Sequence, residues 1–309
     1  MRTYQQDRHA EAGFKTVFIV GGTHGNERTG VMLVRRWQRD PTPVRRKMFT
    51  TRLLMANPEA IRRNTRFVHQ DLNRSFGASR PNAAAAESYE IRRAREIRGV
   101  MAGARARVFA IDLHTSTSNM GITLITDTAP VNLILAAHVR QRNPAVRIYA
   151  FPPGERIDSC LRASADGGLG LEIGPIPQGL VRHDVLQAAE DSVKTILDVI
   201  DAHGRGGLQP PDPCTRIYLH EAHVYYPEGR DAADAACVHR DLDGRDFRPL
   251  ETGMPVFHCP NGETLHFQGA PGRFPVFINE AAYYPEQIAF SLTRPVTLAQ
   301  LLPPHRSTS

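Results

Sequence analysis

A chain of 309 residues, 41% apolar and 23% charged, can hold one large domain or two ordinary ones, and no apolar run approaches the roughly 20 residues of a membrane-spanning helix. Its net charge of +6 is interleaved with acids rather than gathered in a tail, and only three of its 38 basic residues are lysines. That argues against nucleic-acid binding and leaves the charge to steer a small anionic substrate toward a cleft.

Cys160, Cys214, Cys237 and Cys259 are scattered without a CxxC pair, which argues against a disulfide framework and a cysteine-zinc knot. The opening "MRTYQQDRHAEAGFK" lacks the apolar core of a secretory signal, so a cytoplasmic protein with no membrane association is expected.

Val17–Val20 reads as a buried strand, and it runs directly into "GGTHGNERTG", Gly21 to Gly30. Ligands bind beyond the carboxyl ends of strands in open α/β sheets, and His24 lies four residues past this one. Gly21, Gly22 and Gly25 permit a tight turn. Thr23 or Asn26 is suited to cap a helix over Glu27–Gln38. An imidazole and a carboxylate three residues apart can converge on one cation, although a surface His and Glu on a capping loop would read the same.

The next strand pattern is Phe49–Met55. Beyond it, "NTRFVHQDLNRSF" crowds Arg66, Asp71, Asn73 and Arg74 into an aperiodic segment. Arginine and asparagine donors there suit an anion, and a solvated loop is the alternative. "NAAAAE" is a plausible start for a helix over Glu87–Met101.

"VFAIDLHTSTSNMG" ends a second buried strand, Val108–Leu113, on His114. Asp112 shares a side of that strand with His114, where it would either orient a ligand or accept backbone amides. A strand over Gly121–Ile125, a helix over Val131–Arg140 and a strand over Val146–Phe151 follow. The strand Gly168–Ile173 carries Glu172 inside an apolar run, costly unless it pairs, functions or faces water on an edge. The helix His183–His203 puts Val185, Ala189, Val193, Ile196 and Ile200 on one stripe. Alternating strands and helices imply an α/β sheet with helices on both faces.

"GRGGLQPPDPC" then breaks the pattern. From Thr215 to about Pro303 come short strand-like runs ("TRIYLHEAHVYYP", "MPVFHC", "ETLHFQG", "FPVFINEAAYY") that read as a smaller, mostly β domain. The expected division is 14–206 and 213–303.

Taken together and in order, "GGTHGNERTGV", "NTRFVHQDLNRSF", "DLHTSTSNMG", "LEIGPIPQG" and "FPVFINEAAYY" resemble the aspartoacylase family, in the group that includes succinylglutamate desuccinylase and, more distantly, the zinc carboxypeptidases. The resemblance implies a zinc-carboxypeptidase-like mixed α/β sheet flanked by helices, with a C-terminal β domain capping the active-site entrance. It implies one Zn²⁺ per subunit held by His24, Glu27 and His114, with Glu172 as general acid/base and Arg66 polarising the scissile carbonyl. Asn73 and Arg74 correspond to a clamp on the α-carboxylate. Arg162 corresponds to a contact for a side-chain carboxylate, and Tyr283 to a further substrate contact.

The implied reaction is deacylation of small anionic N-acyl amino acids, with N-acetylaspartate and N-acetylated aromatic amino acids or mercapturates as the two branches. Homodimers are common in the group. Asp158 stands where the family pattern has tyrosine, and Pro285, Glu286 and Gln287 follow "EAAYY" where aspartoacylase has a lysine pair. Both changes remove support for a second negative charge on the substrate, whereas Arg162 supplies it.

Overall fold

Alternation along the first strand sets the layers. The computed structural model describes residues 13–77, 88–104, 106–154, 156–227 and 236–302. In β1 (Thr16–Gly21), buried throughout, Val17 and Ile19 join one core and Phe18 and Val20 the other. β3 (Val108–Thr115) repeats the division, with Phe109, Ile111 and Leu113 on the first side and Val108 and Ala110 on the second. A strand buried on both faces needs a helical layer on each.

The first layer is α1 (Arg28–Arg39), α4 (Pro130–Arg142) and α5 (His183–Gly204), which supply Leu33, Trp37, Leu133, Val193 and Ile196 to the larger core. The second is α3 (Tyr89–Ala102), which brings Ala94, Ile97 and Met101. The short α2 (Pro58–Arg63) follows β2 (Thr50–Met55). The expected helix start at "NAAAAE", through Glu87, lies outside the described residues, and α3 is capped by Ser88.

The capping expected of Thr23 or Asn26 is not formed. Glu27 is the N-cap of α1 and makes no side-chain cap bond. Thr23 donates instead to Asp112 at 2.6 Å and Asn26 to Gln178 at 2.6 Å. Both side chains are drawn to partners distant in sequence, which turns the loop toward the neighbouring strand ends. Gly25 is needed there because a Cβ would lie 2.1 Å from the Ala60 carbonyl carbon.

The nine-stranded sheet has the order β11-β12-β7-β5-β4-β6-β3-β1-β2, completed by β4 (Gly121–Asp127), β5 (Val146–Phe151), β6 (Gly167–Gly174), β7 (Arg216–Tyr225), β11 (Phe274–Val276) and β12 (Ile288–Thr297). It is mixed: β1, β2, β3 and β6 run parallel, while β4 is antiparallel to β6.

The C-terminal stretch is the β-rich part expected from the sequence, and it is also continuous with the main sheet. Its strands β7, β12 and β11 extend the main sheet, joined where β5 pairs with β7 at Tyr149↔Tyr218 and Ala150↔Leu219. Among the described residues, β8 (Cys237–Val238), β9 (Pro255–His258) and β10 (Thr264–His266) make a separate antiparallel sheet. An open β5 edge needs a partner, and β7 provides it. The run "FPVFINEAAYY" also divides: β11 ends at Val276, and Ala281–Glu286 is a 3₁₀ turn capped by Glu280; β12 follows it and leads into the short α6 (Leu298–Leu301). Among the described residues no helix is long and apolar enough to cross a membrane.

Candidate active site

Register carries the first contact of the site. β3 and β6 are parallel neighbours with His114 paired to Glu172 and Asp112 paired to Gly170. The side chains of both pairs therefore leave the sheet on the same face. On that face β6 offers Gly168, Gly170 and then Glu172, while Leu169, Leu171 and Ile173 fill the opposite core. The glycines leave the sheet uncovered: a Cβ on Gly168 would come 3.1 Å from the Arg162 Cβ, and one on Gly170 would lie 3.5 Å from its Nε. Arg162 thus lies across the floor of a cavity with Glu172 at one end. β6 is an interior strand, so the edge-strand alternative for Glu172 does not hold.

The loop after β1 brings the next two groups. His24 Nδ1 lies 2.5 Å from Glu27 Oε1, and His114 Nδ1 lies 2.9 Å from Glu27 Oε2. One ligand atom from each of the three residues falls within 4.8 Å of the others, an arrangement able to hold a metal ion. His114 Nε2 sits 2.8 Å from Asp112, which also accepts the Thr23 hydroxyl. Asp112 is therefore the partner that orients His114, the first of its two sequence-level alternatives.

Burial raises the Glu27 carboxyl pKa, but His24 and His114 outweigh it and hold the group well below the ordinary range. Burial opposes charge on His114, yet Asp112 and Glu27 push its pKa well up. Glu172 behaves oppositely: burial pushes its pKa well up, Glu27 and Glu280 add to the shift, and His114 and Arg66 oppose it.

One cavity collects all nine residues singled out from the sequence: His24, Glu27, His114, Glu172, Arg66, Asn73, Arg74, Arg162 and Tyr283. Arg66 reaches Asp71 at 2.9 Å and Glu27 at 3.4 Å. Asn73 accepts the Leu161 amide at 2.9 Å, tying its loop to the segment that carries Arg162. The Arg74 Nε is buried without a hydrogen-bond partner. Tyr283 enters on the 3₁₀ turn and packs its ring 5.4 Å from Phe277. Asp158 and Gln287 are exposed and outside the cavity lining.

Several contributors were not read from the sequence. The buried Glu280 accepts from the Ser116 hydroxyl, from the Thr117 amide at 2.8 Å and from the Thr117 hydroxyl at 3.0 Å, so the loop just beyond His114 is gripped from the C-terminal half. Glu280 stands in the "NEAAYY" run, but its partners lie more than 160 positions away. His223 comes from β7 with Nδ1 3.0 Å from the Ser291 hydroxyl, and Ile125, Phe151 and Phe277 add an apolar wall.

Comparison with known proteins agrees with this architecture. The succinylglutamate desuccinylase/aspartoacylase catalytic domain matches residues 14–200, and the AstE/AspA barrel-sandwich hybrid domain matches residues 214–295. A probable aspartoacylase of Acaryochloris marina is 35% identical, covering 90% of this chain and 95% of its own. An N-acyl-aromatic-L-amino acid amidohydrolase (carboxylate-forming) of Xenopus laevis is 38% identical, covering 90% and 93%. The crystal structure of murine aminoacylase 3 superposes with a TM-score of 0.83 at 33% identity, covering 93% of this chain and 96% of that one. Succinylglutamate desuccinylase from Vibrio cholerae, at 19% identity and a TM-score of 0.63 over 93% and 86% of the two chains, shares the fold. With relatives this similar along nearly its whole length, the chain belongs to the succinylglutamate desuccinylase/aspartoacylase family.

Proposed function

We propose that this protein is a zinc-dependent amidohydrolase that deacylates N-acyl L-amino acids, with an N-acetyl amino acid such as N-acetylaspartate as substrate and acetate plus the free amino acid as products. The observation that carries the reading is the convergence of His24, Glu27 and His114 in the same cavity as the buried Glu172. Two imidazole nitrogens and a carboxylate oxygen are a donor set suited to Zn²⁺, and three protein donors leave a position open. When bound, the ion supplies a Lewis acid for the acyl carbonyl and acidifies water to a pKa near ~7.

The chain's own residues do the rest. Glu172 takes the proton of the attacking water, and its raised pKa suits it to hold that proton until the amine departs. Arg66 donates to the carbonyl oxygen as negative charge grows there; such a donor is typically worth ~10²–10³ in kcat. Asn73 and Arg74 hold the α-carboxylate and fix orientation away from the reacting atoms. Arg162 and Tyr283 contact the remainder of the substrate.

The segment 213–303 caps the entrance to the catalytic part, 14–206, which is supported by Tyr283 and His223 both reaching the cavity; Pro303 itself lies outside the described residues. The scatter of Cys160, Cys214, Cys237 and Cys259 along the chain, with no CxxC spacing, supports a cytoplasmic site of action.

A second reading, deacylation of N-acylated aromatic amino acids, is favoured by the apolar wall of Ile125, Phe151 and Phe277 and by the exposure of Asp158 and Gln287. The test is release of free amine from a panel of N-acyl amino acids by zinc-loaded protein, repeated after chelation. Chelator-sensitive hydrolysis is expected. Zinc uptake without hydrolysis of any panel member would leave a non-catalytic metal binder.

A further inference from the structure

We infer that Asp71 is a positioning residue that fastens His24, Arg66 and the loop bearing Asn73 and Arg74 to a single carboxylate. The inference rests on the proposed function for the roles of His24 and Arg66.

Asp71 opens the 3₁₀ turn Leu72–Arg74, and its Oδ1 accepts the Asn73 amide at 2.7 Å. A local cap would need nothing more. Here the same oxygen lies 3.1 Å from His24 Nε2, and Oδ2 accepts Arg66 Nη2 at 2.9 Å. With Nε2–H donated to Asp71, the Nδ1 lone pair of His24 is left on the side of Glu27 and the other ligand atoms. His114 repeats this arrangement, with Nδ1 toward Glu27 and Nε2 on Asp112. Each imidazole thus has its own carboxylate behind it.

Asp71 also competes for Arg66. The guanidinium is closer to Asp71 than to Glu27, at 2.9 against 3.4 Å, so Asp71 restrains it from closing on the metal-ligand carboxylate.

The test measures zinc affinity of apo-protein by competition with a chromophoric chelator, together with thermal melts and steady-state kinetics. Wild type, Asp71→Ala and Asp71→Asn are compared. Asp71→Ala is expected to bind zinc about 10–100-fold more weakly. Asp71→Asn keeps an amide oxygen for His24 and Asn73 but turns an N–H toward Arg66. It should hold zinc within a few-fold of wild type while kcat falls tenfold or more at nearly constant KM.

Wild-type zinc affinity in Asp71→Ala overturns the inference and leaves the proposed function standing. Failure of the wild type to bind zinc at all removes both. Should Asp71→Ala not fold, Asp71→Asn decides: a kcat loss with zinc retained supports the inference, and an unchanged kcat overturns it.

Discussion

His114 and Glu172 occupy paired positions on neighbouring parallel strands, β3 and β6, so a candidate metal ligand and a candidate base share one row of the sheet. Their spacing is set by backbone hydrogen bonding rather than by a loop, which makes it rigid. Replacing Glu172 should leave the ligand set intact. Glu172→Gln is expected to lower kcat by roughly 10²–10⁴-fold with the zinc content of the wild type, read by metal analysis beside an amine-release assay. Turnover near the wild-type rate would take Glu172 out of the reaction.

Arg74 contributes to the cavity wall with a buried Nε that lacks a hydrogen-bond partner. A charged hydrogen bond to a substrate carboxylate contributes about 1.5–3 kcal/mol. Arg74→Ala should therefore raise KM for N-acyl amino acids by roughly ten- to a hundredfold, with kcat changed less. The same acyl amines lacking the α-carboxylate should show no further loss; an equal penalty on them would place the clamp elsewhere.

Arg162 lies over Gly168 and Gly170, where an acidic side chain and an aromatic one make different demands. Removing the guanidinium deletes an ionic partner for the first and only a planar surface for the second. In Arg162→Met, kcat/KM for N-acetylaspartate should fall at least tenfold more than for N-acetylphenylalanine. Equal losses would mean that Arg162 shapes the floor without reading the side chain.

Asp246 gives a prediction about stability. Its carboxylate is buried and accepts the Asn119 amide at 3.2 Å and the Ile278 amide at 3.1 Å, joining the loop after β3 to the segment after β11. Burial raises its pKa from 3.8 to about 6, against the pull of those amides and of Arg147. Between those two values the unfolded chain is ionised while the folded chain still holds the proton. Stability is therefore lost as pH rises from about 4 to about 6, by on the order of 3 kcal/mol. Asp246→Asn removes this slope. The wild type minus variant difference in unfolding free energy should decline across that window and then level off, as followed by denaturant titration at several pH values. A flat difference would mean that Asp246 ionises at an ordinary pKa.

Local patterning and motif order made much of the site legible. The strand before "GGTHGNERTG", the strand ending on His114 and the stripe of α5 all appear where the alternation of apolar residues puts them. Pairings between distant segments were harder to read. Nothing local in "TRIYLHEAHVYYP" says that β7 will continue a sheet begun 200 positions earlier, because the requirement comes from the open edge of β5. Glu280 reads as one acid in a turn until Ser116, Thr117 and Ser118 are brought against it. Thr23 or Asn26 reads locally as a helix cap, and longer-range hydrogen bonds override that use of both side chains. Asp71 stands in a cluster that reads equally as an anion site or a solvated loop, and its hold on His24 depends on two loops meeting across 47 positions.

The contact between β5 and β7 spans only two residue pairs, yet it makes one continuous sheet of the two halves. A fragment stopped near residue 206 would expose an unprotected hydrogen-bonding rim on β5 and lose the acceptor that restrains residues 116–118. Such a truncated chain should aggregate rather than survive as a weakened enzyme.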